Sequence, residues 1–267
     1  MAPRLVSAFL FGGWLCAIAS AGPPVARFQS VLGDFDVLLD SVAAPISVAN
    51  FTAYANRGAY DGTFLHRSTT YDPADIQIVQ GGGFELVGNS IDQIPTDAPI
   101  PLEAGLPNSR GTIAMARATD PNSATSQWFF NVTDNPLLGL DYAVFGRVLG
   151  GGLSVVDAMA SLKVYDASNQ LGGAFSELPL RAPALSASNL VLFPSVRTET
   201  FAITNLTRSG NTAEIHWTPL STNTPVRVER STDLAGPWDT VSSNNTTGVY
   251  TDTNAPAGRA FYRVVTE

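Results

Sequence analysis

Short strand-like runs separated by polar and proline- or glycine-rich turns recur along this chain, and two stretches change to a helical period. Phe28-Gln29-Ser30-Val31, a Gly33-Asp34 turn and Phe35-Asp36-Val37-Leu38-Leu39 predict a β-hairpin. Val48, Phe51 and Tyr54 follow at helical spacing, with Pro45 suited to the first turn and Gly58 placed to end the element. Thr63-Phe64-Leu65-His66-Arg67 predicts a short strand, and Ser68 to Asp75 a polar loop broken by Pro73. Ile76-Gln77-Ile78-Val79-Gln80 alternates as a strand before Gly81-Gly82-Gly83. Glu85 to Asn108, with prolines at 95, 99, 101 and 107, reads as a long extended loop. Arg110 to Arg117 and the run ending Trp128-Phe129-Phe130 read as two strands joined by an irregular polar loop. Successive strand residues face opposite sides, so Trp128 and Phe129 cannot serve the same core. One aromatic packs; the other, with Gln127 beside it, suits the holding of a peptide. Tyr142 to Val148 predicts a further strand, and Ser154 to Leu162 a second helix with Val155, Val156, Met159 and Leu162 on one side.

Two helices among many short strands predict a mainly β fold, a closed barrel capped by helices. The polar stretch Asp166 to Phe175 and the proline-spaced Leu178 to Pro183 read as leading away from it. A domain boundary is expected between Pro194 and Glu199, giving a first domain over 22–194 and a second over 195–267. The second has short alternating runs rich in Thr and Asn, with Ile215 and Trp217 inward and His216 outward, and predicts a small β-sandwich.

The first residues change the expected address. Arg4, an apolar run from Phe9 to Ile18 and Ala19-Ser20-Ala21 before Gly22 predict an export signal over 1–21, too short to span a membrane. The expected location is periplasmic, cell-surface or secreted, with no membrane span after cleavage. Cleavage would remove Cys16 and so any disulfide, and would take the net charge from −8 to −9 with the loss of Arg4. With Lys163 the only lysine and no basic run, nucleic acid is excluded as an expected partner.

The candidate chemistry is narrowed mainly by what is missing. His66 and His216 fall in different domains, His66 reading as a hydrogen-bonded structural residue, so a Ser-His-Asp site has no support. No His or Cys cluster has metal-ligand spacing, and Gly81-Gly82-Gly83 lacks the Lys-Ser/Thr of a phosphate loop. That triplet reads as close backbone packing or positive φ, and no cofactor is expected. Arg67, Gln80, Gln127 and an apolar set remain. They suit a reaction that needs neither nucleophile nor proton transfer, and rotation about an Xaa-Pro bond is one.

Five ordered blocks carry a family resemblance: Phe64-Leu65-His66-Arg67, Val79 to Phe84, Arg110 to Arg117, Asn122 to Phe129 and Ala143 to Val148. Over about Ala26 to Leu180 the chain resembles the cyclophilins, peptidyl-prolyl cis-trans isomerases, particularly bacterial members. The resemblance implies an eight-stranded antiparallel barrel with a helix at each end, acting on proline-containing peptides or unfolded proteins. It implies that Arg67 is the catalytic arginine, that Gln80 orients it and touches the peptide, and that Phe129 forms the base of the proline pocket. Ile78 and Leu138 then fall on its walls, and Gln127, Ala116 and Arg117 on positions binding the peptide backbone. Tyr142 falls where many members carry histidine. Gln77 replaces an aromatic that packs on the proline, and the Arg67–Gln80 spacing is longer than usual, with Tyr71 a candidate replacement for that ring. The last 70 or so residues resemble the fibronectin type III-like tails of exported bacterial proteins, usually spacers or adhesion modules, which would bring cell-surface or polysaccharide contact. The alternatives are a non-catalytic peptide binder and a surface adhesion protein that keep the barrel. An Arg67 buried in an ion pair or turned from the apolar hollow would contradict the isomerase expectation.

Overall fold

Strand alternation gives the larger unit two apolar faces, and the two faces do different work. The computed structural model describes residues 9–10, 23–69, 76–218 and 220–266. Ala26–Thr198 forms one compact unit, and Glu199 onward falls in a second. In the first, eight strands form one curled antiparallel sheet. They are β1 (Pro24–Gln29), β2 (Phe35–Leu39), β3 (Arg67–Ser68), β4 (Ile78–Gly81), β5 (Thr112–Met115), β6 (Trp128–Asn131), β7 (Val144–Val148) and β8 (Ser195–Thr200). Their spatial order is β8-β1-β2-β7-β5-β6-β4-β3. Residues from Ser195, expected to open the second domain, thus form an edge strand of this sheet.

One face of the sheet presents Val37, Val79, Ile113, Met115, Trp128, Phe130 and Phe145 to the main core. Phe28 stacks on Phe35 at 5.0 Å between ring centroids, and the Trp128 indole meets Phe28 edge-on at 5.2 Å. Helix α1 (Pro45–Asn56) adds Val48, Phe51, Tyr54 and Ala55 to this core, and α2 (Gly152–Ala160) adds Val155, Val156 and Met159. Burying each such side chain contributes roughly 1.5–3 kcal/mol, so this face carries most of the unit's stability. The opposite face carries Ile78, Ala114, Phe129, Leu138 and Val144 as a separate, smaller cluster. Trp128 and Phe129 therefore part as the alternation predicts.

Gly81-Gly82-Gly83 has a packing cause. A Cβ on Gly81 or Gly82 would stand 2.8 or 2.5 Å from the Trp128 indole, one on Gly83 would stand 2.7 Å from the Gln127 amide, and Gly82 has φ +76°. Close approach and positive φ both hold here.

Two sequence expectations change, and one helix cap comes from an unforeseen place. The long loop after Glu85 contains a hairpin, Phe84–Val87 with Ser90–Gln93, turned at Gly88 with φ +62°. The same segment caps α1: Ala44 offers no capping side chain, and the Glu103 carboxylate instead accepts the Ile46 and Ser47 N–H groups at 2.9 and 2.7 Å. The stretch after Lys163 does not lead away; Lys163–Tyr165 pairs with Leu178–Leu180, and Phe175, Leu178 and Leu180 are buried with Phe64.

The second unit holds two small antiparallel sheets. Ile203–Ser209, Thr212–Trp217 and Val249–Asp252 form one; Asp239–Asn245, Val226–Ser231 and Phe261–Thr266 form the other, with Phe9–Leu10 at its edge. Ile215 and Trp217 are buried while His216 is partly exposed and bonded to Glu214, two residues earlier on the same face. Apart from Phe9–Leu10, the expected export signal lies outside the described residues, as do Tyr71 and the rest of 70–75. Among the described residues no helix is long and apolar enough to cross a membrane.

Candidate active site

Register alone brings the main candidate residues together. Arg67 on β3 lies opposite Gln80 on β4, Gln80 opposite Phe129 on β6, Phe129 opposite Ala114 on β5, and Ala114 opposite Val144 on β7. Residues directly opposite on antiparallel strands share a face. A guanidinium, an amide and a benzyl ring therefore stand in one row, about 5 Å apart from strand to strand, on the face away from the main core.

The row borders a cavity of about 310 Å³ lined by Arg67, Ile78, Gln80, Ala116, Arg117, Phe129, Leu138 and Tyr142, together with Thr69, Ile76 and Glu177. That volume is at the small end of the roughly 300–1,000 Å³ of ligand pockets, a size for one or two residues of a chain. Phe129 is 2% exposed, and the Tyr142 ring meets it edge-on at 5.4 Å. Arg117 is held by backbone carbonyls: its Nε donates to Asp141 O at 2.7 Å and its Nη1 to Ala118 O at 2.9 Å, while the guanidinium lies 4.8 Å above the Tyr142 ring. It ties one rim of the cavity to another.

Gln127 and Gln77 lie outside the cavity lining. Gln127 stands behind Gln80, whose Nε2 donates to Gln127 Oε1 at 2.8 Å. The expected place of Gln77 in the proline pocket is corrected: Ile76 lines the cavity instead. Gln77 is fixed by its backbone, since its N–H donates to Asn135 Oδ1 at 2.9 Å and its carbonyl accepts from Asn135 Nδ2 at 3.0 Å. With the backbone so clamped, its neighbours Ile76 and Ile78 reach the cavity.

Arg67 makes an ion pair with Glu177, Nε to Oε2 at 2.6 Å. The arginine side chain is 43% exposed and still lines the cavity, so the pair lies at the mouth of the hollow and is not buried. Its partner differs from the expectation: the guanidinium donates to Glu177, and Gln80, whose Nε2 donates to Gln127, makes no hydrogen bond to it among the described residues. Sequence reasoning missed Glu177, Thr69 and Ile76. Ile76 was the accessible one, as it alternates with Ile78; nothing local ties Glu177 to a residue 110 positions away.

His66, adjacent to Arg67, is buried against Phe84 and Phe175 at 4.9 and 6.5 Å. Burial, then the Arg67 charge, lower its pKa to about 4, against a weaker opposite pull from Gln127. Its Nδ1 has no hydrogen-bond partner among the described residues; the expected hydrogen bonding is limited to the Gln127 side chain, and ring packing holds the rest. Among the described residues no three His, Cys, Asp or Glu side chains come together to hold a metal ion. The site offers a fixed cation, paired amides and an apolar hollow.

Comparison with known proteins gives a consistent set. A family model described as cyclophilin type peptidyl-prolyl cis-trans isomerase/CLD matches residues 25–172. A peptidyl-prolyl cis-trans isomerase of Acinetobacter baylyi is 40% identical over 162 residues, covering 58% of this chain and 81% of that protein. Peptidyl-prolyl cis-trans isomerase B of Escherichia coli is 40% identical over 143 residues, covering 50% and 82%. A Streptomyces antibioticus peptidyl-prolyl cis-trans isomerase is 47% identical over 135 residues, covering 47% and 76%. Among solved structures, a Cryptosporidium parvum cyclophilin-type isomerase crystallised in the presence of the dipeptide Ala-Pro shares the fold. Its TM-score is 0.50 at 20% identity, over 66% of this chain and 99% of that one.

Proposed function

The chain belongs to the cyclophilin-type peptidyl-prolyl cis-trans isomerases, and from that membership we propose that it rotates Xaa-Pro bonds at the Phe129 cavity with Arg67 stabilising the twisted amide. The carrying observation is the cross-strand row of Arg67, Gln80 and Phe129. Amide resonance sets a barrier of about 18–20 kcal/mol, and uncatalysed exchange takes roughly tens to hundreds of seconds. Only interactions stronger in the twisted state than in either planar form speed this reaction. Twisting breaks resonance and localises a lone pair on the prolyl nitrogen. A guanidinium N–H beside the cavity can donate to that nitrogen only then. Meanwhile Phe129, Ile78, Leu138 and Ile76 hold the ring, and Gln80 and Ala116 line the path of the adjoining backbone. One preorganised donor of this kind is worth on the order of 100-fold in rate.

The substrates we assign are proline-containing segments of exported polypeptides. The export reading rests on the apolar run before Ala19-Ser20-Ala21. The second unit we assign as a fibronectin type III-like spacer or contact module, on its short alternating strands and the absence of helix signals. The alternative of a non-catalytic peptide binder draws on Gln77 in place of an aromatic, and Ile76 in the cavity wall answers part of it. A protease-coupled assay on a proline tetrapeptide separates the two. Acceleration proportional to added protein supports the isomerase; peptide binding with the rate left at its uncatalysed value supports the binder.

A further inference from the structure

We propose that Glu177 is the positioning residue for Arg67, an inference that rests on the reading of Arg67 as the group that meets the twisted amide. Among the described residues the guanidinium donates to Glu177 and makes no hydrogen bond to Gln80, the glutamine expected to orient it, whose Nε2 donates to Gln127. Glu177 takes that place from a segment beyond the 25–172 family match.

Three features make this contact a built one. Phe175 and Leu178, on either side of Glu177, are both buried, so the backbone between them has little freedom. Ser68 N–H donates to Glu177 O at 2.8 Å, tying the residue after the arginine to the residue that bears the carboxylate. Both Arg67 and Glu177 line the same cavity. A guanidinium carries five N–H donors in one plane, so a carboxylate at Nε fixes that plane without exhausting its donors. An arginine on a strand only two residues long has several rotamers open to it, and the carboxylate selects one. Partly exposed ion pairs contribute little to stability; loss of this one is therefore expected to appear in turnover and not in unfolding.

The test uses the full chain as Glu177→Ala, Glu177→Gln, Arg67→Ala and the Arg67→Ala/Glu177→Ala double variant. Turnover is read by the protease-coupled assay, and affinity by calorimetric titration of a proline peptide. Glu177→Ala should lower the turnover number about tenfold while peptide affinity stays within about twofold. Glu177→Gln, which keeps an acceptor oxygen, should fall between Glu177→Ala and wild type. The double variant should be no slower than Arg67→Ala alone. Wild-type or faster turnover in Glu177→Ala, with Arg67→Ala impaired, overturns the positioning role alone. A Glu177→Ala loss matched by an equal loss of affinity also overturns it, as it marks a structural role. Wild-type turnover in Arg67→Ala overturns the underlying reading of the arginine and this inference with it.

Discussion

Burial keeps His66 neutral at the edge of the candidate site, and this has a consequence for stability. Its folded pKa is about 4, against an ordinary value of 6.5. Between those values the unfolded chain binds more protons than the folded one, so stability falls as pH falls. The contribution is complete above about pH 6.5 and is lost as pH drops towards 4, in total on the order of 3 kcal/mol. Urea unfolding should show His66→Phe losing roughly 2 kcal/mol less than wild type between pH 7 and pH 5; equal losses in both proteins would refute this. At this scale the sequence was most informative where chemistry and alternation coincide. Trp128 and Phe129 could be assigned to opposite faces from strand geometry, and Arg67 and Gln80 stood out because the blocks that carry the family resemblance end on or contain them. Glu177 was illegible because its role depends on a segment 110 residues away in sequence folding back beside β3.

Elements place the cavity walls, and one buried side chain links two of them. Asn135 clamps the Gln77 backbone through both amide atoms, and its Nδ2 also donates to Asn131 Oδ1 at 2.8 Å. Asn131 in turn donates to Asn108 Oδ1 at 3.1 Å and Thr112 Oγ1 at 2.8 Å. Asn135→Ala strands buried polar groups on several sides and should destabilise the protein by about 2–3 kcal/mol. It should also lower kcat/KM, since Ile76 and Ile78 depend on that backbone. An unfolding midpoint equal to wild type would show that the clamp does not hold β4. The sequence predicted α1, α2 and the strands that alternate cleanly, and missed the short helix Ser168–Leu171. It missed the hairpin around Gly88 because four prolines dominate that stretch, although Gly88-Asn89 is a recognised two-residue turn signal. It also missed the Glu103 cap on α1, since a cap delivered from a distant loop leaves no mark at the helix start.

Every residue of the candidate site, from Arg67 to Glu177, falls within Ala26–Thr198, and that unit has its own extensive core. A fragment of residues 23–198 should therefore fold and retain kcat/KM within about twofold of the full chain; loss of activity with the fold intact would assign the second unit a part in catalysis. The family was legible because its ordered blocks are the strands whose register builds the cavity row. The second unit was legible only as β-rich, because short alternating strands recur in many folds and no side-chain constellation there points to a reaction. The central claim concerns the cation at the hollow, and it is tested most directly by the turnover of Arg67→Ala in the protease-coupled proline peptide assay, with peptide binding checked alongside. A fall on the order of 100-fold with the peptide still bound is the predicted result; turnover equal to wild type would contradict it.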